Sequence, residues 1–186
     1  MSEPPREGPA GAARIPSSLV LVNTGEGKGK STAAFGTAMR AAGRGWKVCV
    51  IQFLKSERWK TGEEKAARTL GIDWWTLGDG FTWDSKDMDR TEAAAREAWA
   101  AARERIVSGE YRLVVLDEIT YAITWGWIDE ADVLETIRSR PEDVSVIATG
   151  RDASPGLVDL ADTVTEMTKR KHAFDAGVGA LAGIEF

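Results

Sequence analysis

Short apolar runs alternate with longer stretches in which apolar residues recur every three or four positions, and this rhythm persists through most of the chain. Leu19-Val20-Leu21-Val22 is such a run, ending in a glycine-rich turn, and it predicts a buried strand. Residues 31–43 carry alanines, Phe35 and Met39 at helical spacing and stop at Gly43 and Gly45, which predicts a helix with a glycine terminator. The pattern then predicts a strand over Trp46 to Leu54, a helix within the charged stretch Lys55 to Leu70, and a strand over Ile72 to Leu77. A loop follows at Gly78 to Trp83. Asp87 to Ser108 is alanine-rich, with Glu and Arg scattered on one side, and predicts a long helix. Leu113 to Leu116 predicts a strand that ends in Asp117-Glu118, and Asp129 to Arg138 a helix capped by Asp129. Val144 to Ala148 predicts a further strand, followed by a short helix, a strand at Thr163 to Met167 and a polar tail.

Apolar strands alternating with helices predict an α/β domain, a largely parallel sheet with helices on both faces. Residues 1–18 hold four prolines and two glycines with little to bury, and read as a disordered or loosely docked tail. Residues 19–186 read as one domain, since no repeat and no second composition regime interrupts them.

Composition narrows the function. The net charge is −5, which argues against a duplex nucleic acid partner, because such a partner demands a basic face. No run approaches the roughly 18 apolar residues of a membrane span. Acids and prolines stand at the N-terminus where a signal peptide needs a basic and then an apolar segment, so the expected location is cytoplasmic. Cys49 is the one cysteine, and within Val48, Val50 and Ile51 it reads as a small buried hydrophobe. Eight tryptophans are many for this length; they suit a core, and also a large flat ligand.

The strongest chemical signal is Asn23-Thr24-Gly25-Glu26-Gly27-Lys28-Gly29-Lys30-Ser31-Thr32, between a strand and a helix. This is the context of a phosphate-binding loop. Glycines let backbone N–H groups turn toward phosphates, the helix N-terminus adds the positive end of its dipole, Lys30 adds a point charge, and the Ser31 hydroxyl suits Mg²⁺. The loop is a variant: the first glycine of the usual pattern falls on Thr24. Downstream, the apolar strand ending in Asp117-Glu118 brings carboxylates to the same sheet edge, where they can hold the metal directly or through water. Arg151, past the next strand, reads equally as a phosphate-neutralising guanidinium and as a surface arginine in a turn. Phe81 and Trp83, taken alone, read as anchors of a loop, and His172 as structural.

TGEGKGKSTAAFGTAMRAAGRG (24–45), VIQFLK (50–55), GFTWD (80–84), VVLDEITY (114–121), IATGR (147–151), ADTVTEM (161–167) and KHAFDAGV (171–178) together resemble the corrinoid adenosyltransferases of the cob(I)yrinic acid a,c-diamide type. The resemblance runs from about residue 19 to the C-terminus. It implies a RecA-like P-loop fold, a homodimer, and an enzyme in adenosylcobalamin biosynthesis or salvage. That enzyme would move the 5′-deoxyadenosyl group of ATP to Co(I) of a corrinoid and release triphosphate. It implies that Asn23 to Thr32, Arg40 and Arg151 contact the nucleotide, and that Ser31 and Glu118 hold Mg²⁺ or Mn²⁺. Lys30, Phe81 and Trp83 would act in the reaction, the two aromatics facing the corrin. A flavoprotein or other reductant would supply electrons for Co(II). The variant loop matches a reversed ATP orientation, reasonable where the leaving group is the whole triphosphate. Relatives often begin with a helix that covers the active site; Pro4, Pro5, Pro9 and Pro16 argue against a long helix here. A P-loop phosphotransferase or ATPase, and a non-catalytic nucleotide or corrinoid binding protein, remain the alternatives.

Overall fold

The computed structural model describes residues 15–56, 61–78 and 88–185. Residues 1–14 of the expected N-terminal tail, and the loop carrying Phe81 and Trp83, lie outside the described residues.

Six strands form one sheet: β1 (Val20–Thr24), β2 (Val48–Ser56), β3 (Asp73–Gly78), β4 (Leu113–Asp117), β5 (Ser145–Thr149) and β6 (Thr163–Glu166). Their order across the sheet is β3-β2-β4-β5-β1-β6 and every pairing is parallel. The helices are α1 (Lys30–Gly43), α2 (Gly62–Thr69), α3 (Met88–Ser108), α4 (Ile119–Thr124), α5 (Glu130–Arg138) and α6 (Pro155–Leu160). Strand periodicity divides the core. Val48, Val50, Leu113, Val115 and Ile147 point to the face covered by Ala34, Phe35 and Ala38 of α1 and Ala67 of α2. Cys49, Ile51, Val114, Leu116 and Val146, one position out of phase, meet Ala95, Ala98, Trp99 and Ala102 of α3 together with α4 and α5. Covering both faces is why the central strands read as continuous apolar runs. Each fully buried Val or Ile is worth about 1.5–3 kcal/mol.

The element boundaries differ from the sequence expectation for identifiable reasons. Trp46 precedes β2 because its N–H donates to Ala41 O (3.1 Å) and closes the end of α1. Ile72 is lost from β3 in the same way, donating to Ala67 O (3.0 Å) at the end of α2. At its other end β2 runs on to Ser56, past an irregularity that shifts its register against β3. Asp129 caps α5 as expected, accepting from Ala131 N at 3.0 Å. α4 was not expected: six residues are too few to show a period, and it lacks a side-chain cap. The polar tail contains a 3-10 turn, Ala173–Ala176, where His172 Nδ1 accepts from Phe174 N (3.0 Å), so the histidine is a cap.

Candidate active site

β1 lies between β5 and β6, and its C-terminal end delivers the loop 24–29 to the sheet edge where β4 and β5 also end. Thr24 is explained by its contacts. Its hydroxyl accepts from Ala153 N (3.2 Å) and its carbonyl from Met167 N (2.8 Å), so it clamps the loop to the segments after β5 and β6. A glycine there would forfeit the first bond. Gly27 N–H donates to Met167 O at 2.6 Å, and a Cβ on Gly27 would lie 2.7 Å from the same oxygen. The glycine is therefore demanded by a neighbouring backbone, and its N–H is committed to that backbone, where the sequence suggested that it would face phosphates. Gly25 meets the same wall, its would-be Cβ 2.6 Å from Met167 O.

Lys30 opens α1, and its ammonium turns back to donate to Gly25 O and Gly27 O, both at 2.7 Å. That uses two of its three N–H donors and places the charge at the centre of the loop. Burial, and then Arg151, lower its pKa, while Glu26 and Glu118 oppose the shift. Asn23 Nδ2 donates to Lys30 O (3.2 Å) and ties the strand end to the helix start. Ser31 is half-buried and Thr32 exposed, both on the first turn of α1. Arg151 Nε stands 3.4 Å from Glu26 Oε2, a pair exposed to solvent. Lys28 pairs with Glu185 near the C-terminus. Arg40 is not brought to this group: it sits exposed on the last turn of α1, ten residues or about 15 Å along the helix from Lys30.

The two acids after β4 have different surroundings. Asp117 is fully buried and accepts from Gln52 Nε2 (2.9 Å) and Thr149 Oγ1 (2.8 Å), with Lys55 Nζ 3.6 Å away. Gln52 in turn accepts from Trp74 Nε1 (3.1 Å) and Thr76 Oγ1 (3.3 Å). Such satisfaction is what a buried carboxylate requires. Glu118 takes a left-handed backbone (φ 65°), unusual for a non-glycine residue, and its N–H donates to Thr149 Oγ1 at 2.9 Å. Burial pushes the Glu118 carboxyl up to about 7, Asp117's charge adds to the shift, and Lys55, Lys30 and Arg151 oppose it. The strand pattern alone treated these two acids alike, and only the family resemblance singled out Glu118; Thr149, Gln52 and Lys55 separate them. Gln52 was the available signal, a polar residue inside the apolar run VIQFL. Met167 appeared in the sequence only as the end of a strand and of the motif ADTVTEM, with nothing to mark it as a wall of the loop.

The sequence profile of the family described as ATP:corrinoid adenosyltransferase BtuR/CobO/CobP matches residues 17–186. The chain belongs to the ATP:corrinoid adenosyltransferase family. It is similar to the corrinoid adenosyltransferase of Escherichia coli (strain K12), 42% identical over 168 residues that cover 90% of this chain and 85% of the relative. It is likewise similar to the corrinoid adenosyltransferase of Pseudomonas aeruginosa, 44% identical over 94% of this chain and 86% of the relative. In fold it is similar to the flagellar accessory protein FlaH of Methanocaldococcus jannaschii (TM-score 0.55, 12% identity, 83% of this chain and 73% of that one). The expected transferase family and the RecA-like, parallel α/β arrangement therefore both hold. Among the described residues, no helix is long and apolar enough to cross a membrane.

Proposed function

We propose that the group of residues around Lys30 binds ATP by its triphosphate and presents C5′ of the ribose to a corrinoid in the Co(I) state. The observation that carries this reading is the convergence of Lys30, Glu118 and Arg151 on one sheet edge of a chain in this family. The cobalt electron pair attacks C5′, a Co–C bond forms, the C5′–O bond breaks, and its electrons leave on the α-phosphate oxygen of triphosphate. Lys30 and Arg151 supply positive charge to that leaving group. Asn23 through Thr32 form the cradle, and ATP lies reversed relative to phosphoryl-transfer enzymes, so that the whole triphosphate is released.

Mg²⁺ suits the residues present. Glu118 is a carboxylate held partly protonated by burial beside a second acid, the state a nearby divalent cation would relieve. The Ser31 hydroxyl is a hard oxygen donor on the adjacent helix turn. An ion here would be held by one carboxylate, a hydroxyl and the substrate's phosphates. Mg²⁺ or Mn²⁺ would supply charge neutralisation of the triphosphate; Asp117, buried and bonded, orients its neighbour.

Phe81 and Trp83 are proposed, on the family resemblance, as the residues facing the corrin. They would keep one axial side of cobalt free of ligand so that a flavoprotein or other reductant can deliver the electron to Co(II). Edge strand β6 is exposed, and with Val164, Phe174, Val178 and Leu181 it offers apolar surface that supports a homodimer. Residues 19–186 are read as the catalytic domain, acting in the cytoplasm on small molecules without nucleic acid or membrane.

The test is to identify the phosphate product after incubation with Mg-ATP and a chemically reduced corrinoid. Triphosphate together with an alkylated cobalt is expected. ADP with orthophosphate would replace this reading by phosphoryl transfer, and binding without turnover would replace it by a carrier.

A further inference from the structure

Tyr121 lies on α4, three residues after Glu118, which stands just before the helix. Its ring is backed by Trp125 (centroids 5.2 Å apart, planes at 37°), and Trp125 by Trp127 (4.7 Å, 59°). Trp127 is buried at 7% exposure, Trp125 is 37% exposed and Tyr121 half-buried, so the three rings form a ladder anchored in the core at Trp127. Neighbouring bonds hold the ladder in place. Thr120 Oγ1 donates to Arg151 O (2.6 Å), Thr124 Oγ1 lies 3.4 Å from Asp152 O, and a Cβ on Gly150 would fall 2.0 Å from Thr120 Oγ1. α4 is thus fixed to the turn that carries Arg151. The charges acting on the Tyr121 hydroxyl are Arg151, Glu118, Glu26 and Asp152, the groups that surround the phosphate loop. Tyr121 packs in part against the core and stays half-buried, so part of its side chain faces outward beside these groups.

Resting on the adenosyl-transfer reading above, we infer that the Tyr121 ring, stiffened by Trp125, is the stacking surface for the adenine base of ATP. Adenosyl transfer needs the nucleotide held at both ends, because only then is C5′, between phosphates and base, fixed in direction. The phosphate loop holds one end by charge. A rigid aromatic face beside Arg151 holds the other by stacking, which every purine face satisfies. Tyr121 is then a positioning residue: it touches substrate and takes no part in bond exchange.

Binding of Mg-ATP and of inorganic tripolyphosphate, measured side by side by calorimetry, tests this. Tyr121→Ala should weaken ATP roughly 5- to 100-fold, the range of one base stack, and leave tripolyphosphate within about twofold of the parent. Tyr121→Phe should bind both as the parent does. Should Tyr121→Ala fail to fold, Tyr121→Leu with the same two ligands replaces it. In the parent, ATP and not tripolyphosphate should alter Trp125 emission, a signal absent in Trp125→Phe. Unchanged ATP affinity, or equal weakening of both ligands, overturns the inference. A parent that binds neither ligand instead overturns the ATP reading itself.

Discussion

The phosphate loop and the C-terminal segment meet at Lys28, where Glu185 pairs with it, and they are held in opposite ways. The loop is pinned on several sides: Thr24 to Ala153 and Met167, Gly27 to Met167, Asn23 to Lys30. Its strand is paired with a neighbour on each edge. Residues 181–185 are exposed, and the bonds from Ile184 N and Glu185 N both return to Leu181 O within one turn. Gly183 and Ile184 form the rim of a cavity of about 350 Å³ lined by Phe35, Met39, Ala66 and Trp74, yet Ile184 itself is 75% exposed. A polyanion has to enter a site whose cations are already in place, so rigidity belongs in the loop and freedom in the segment that meets it.

The largest effect should follow from breaking the rigid side. Gly27→Ala forces a methyl group to within 2.7 Å of Met167 O, just past the Thr24–Glu166 pair that ends the β1–β6 ladder. Overpacking of this kind costs about 3 kcal/mol, a fall in Tm of roughly 6–12 °C for a chain of this size. Because relief requires the loop to move, ATP turnover should drop about 100-fold, on the scale of an ångström's misplacement. A variant with parental Tm and turnover would show that the Met167 wall is soft, and the contrast with the C-terminal segment would disappear.

Glu118 lies between the extremes, with a backbone fixed by Thr149 and a half-buried carboxylate. Glu118→Gln should lower turnover roughly 10- to 100-fold and raise the Mg²⁺ requirement, the scale of losing one group from a metal's surroundings. Its effect on stability has the opposite sign. Burial raises the carboxyl from the ordinary 4.5 to about 7 in the folded protein, so the stability it contributes is complete below pH 4.5 and lost as pH rises through 7. Without Mg²⁺, Glu118→Gln should therefore be about 1–3 kcal/mol more stable than the parent at pH 8 and no different near pH 4.5. Equal denaturant midpoints at both pH values would mean that Glu118 is solvated and cannot be the poised ligand.

The same contrast governs what could be read from the sequence. The central strands and most helices were legible because burial writes apolar runs and periods, and the phosphate loop because Gly29-Lys30-Ser31 sits between a strand and a helix. What walls the loop was not legible. Met167 acts through its backbone, which any residue could supply, and only the β1–β6 pairing brings it there. α4 escaped because it is a single short turn, and Tyr121 with it. On the strand pattern alone Asp117 and Glu118 looked interchangeable, because their difference lies in partners 32 and 65 positions away from Asp117, Thr149 and Gln52. Past the motif KHAFDAGV (171–178) the tail gave no signal, because the contact of Glu185 with Lys28 joins residues far apart in the chain.

The smallest expected effect comes from the loose side. Glu185 neutralises Lys28 at the mouth of the loop, so triphosphate has to compete with a carboxylate of the chain itself. The pair lies at the surface, its side chains 51% and 24% exposed, and such pairs are worth about 0–1 kcal/mol, up to roughly fivefold in affinity. Glu185→Gln should therefore bind tripolyphosphate roughly two- to fivefold more tightly than the parent at low ionic strength. The gain should shrink as salt approaches 1 M, where the screening length falls to about 3 Å. Tm should stay within 1–2 °C, since residues 181–185 contribute no side chain to the buried core and a contact of this size shifts Tm little. A gain that survives high salt would point to steric relief rather than charge competition. No gain at any salt would make the C-terminal segment a bystander, leaving Lys28 as available to phosphate in the parent as in the variant.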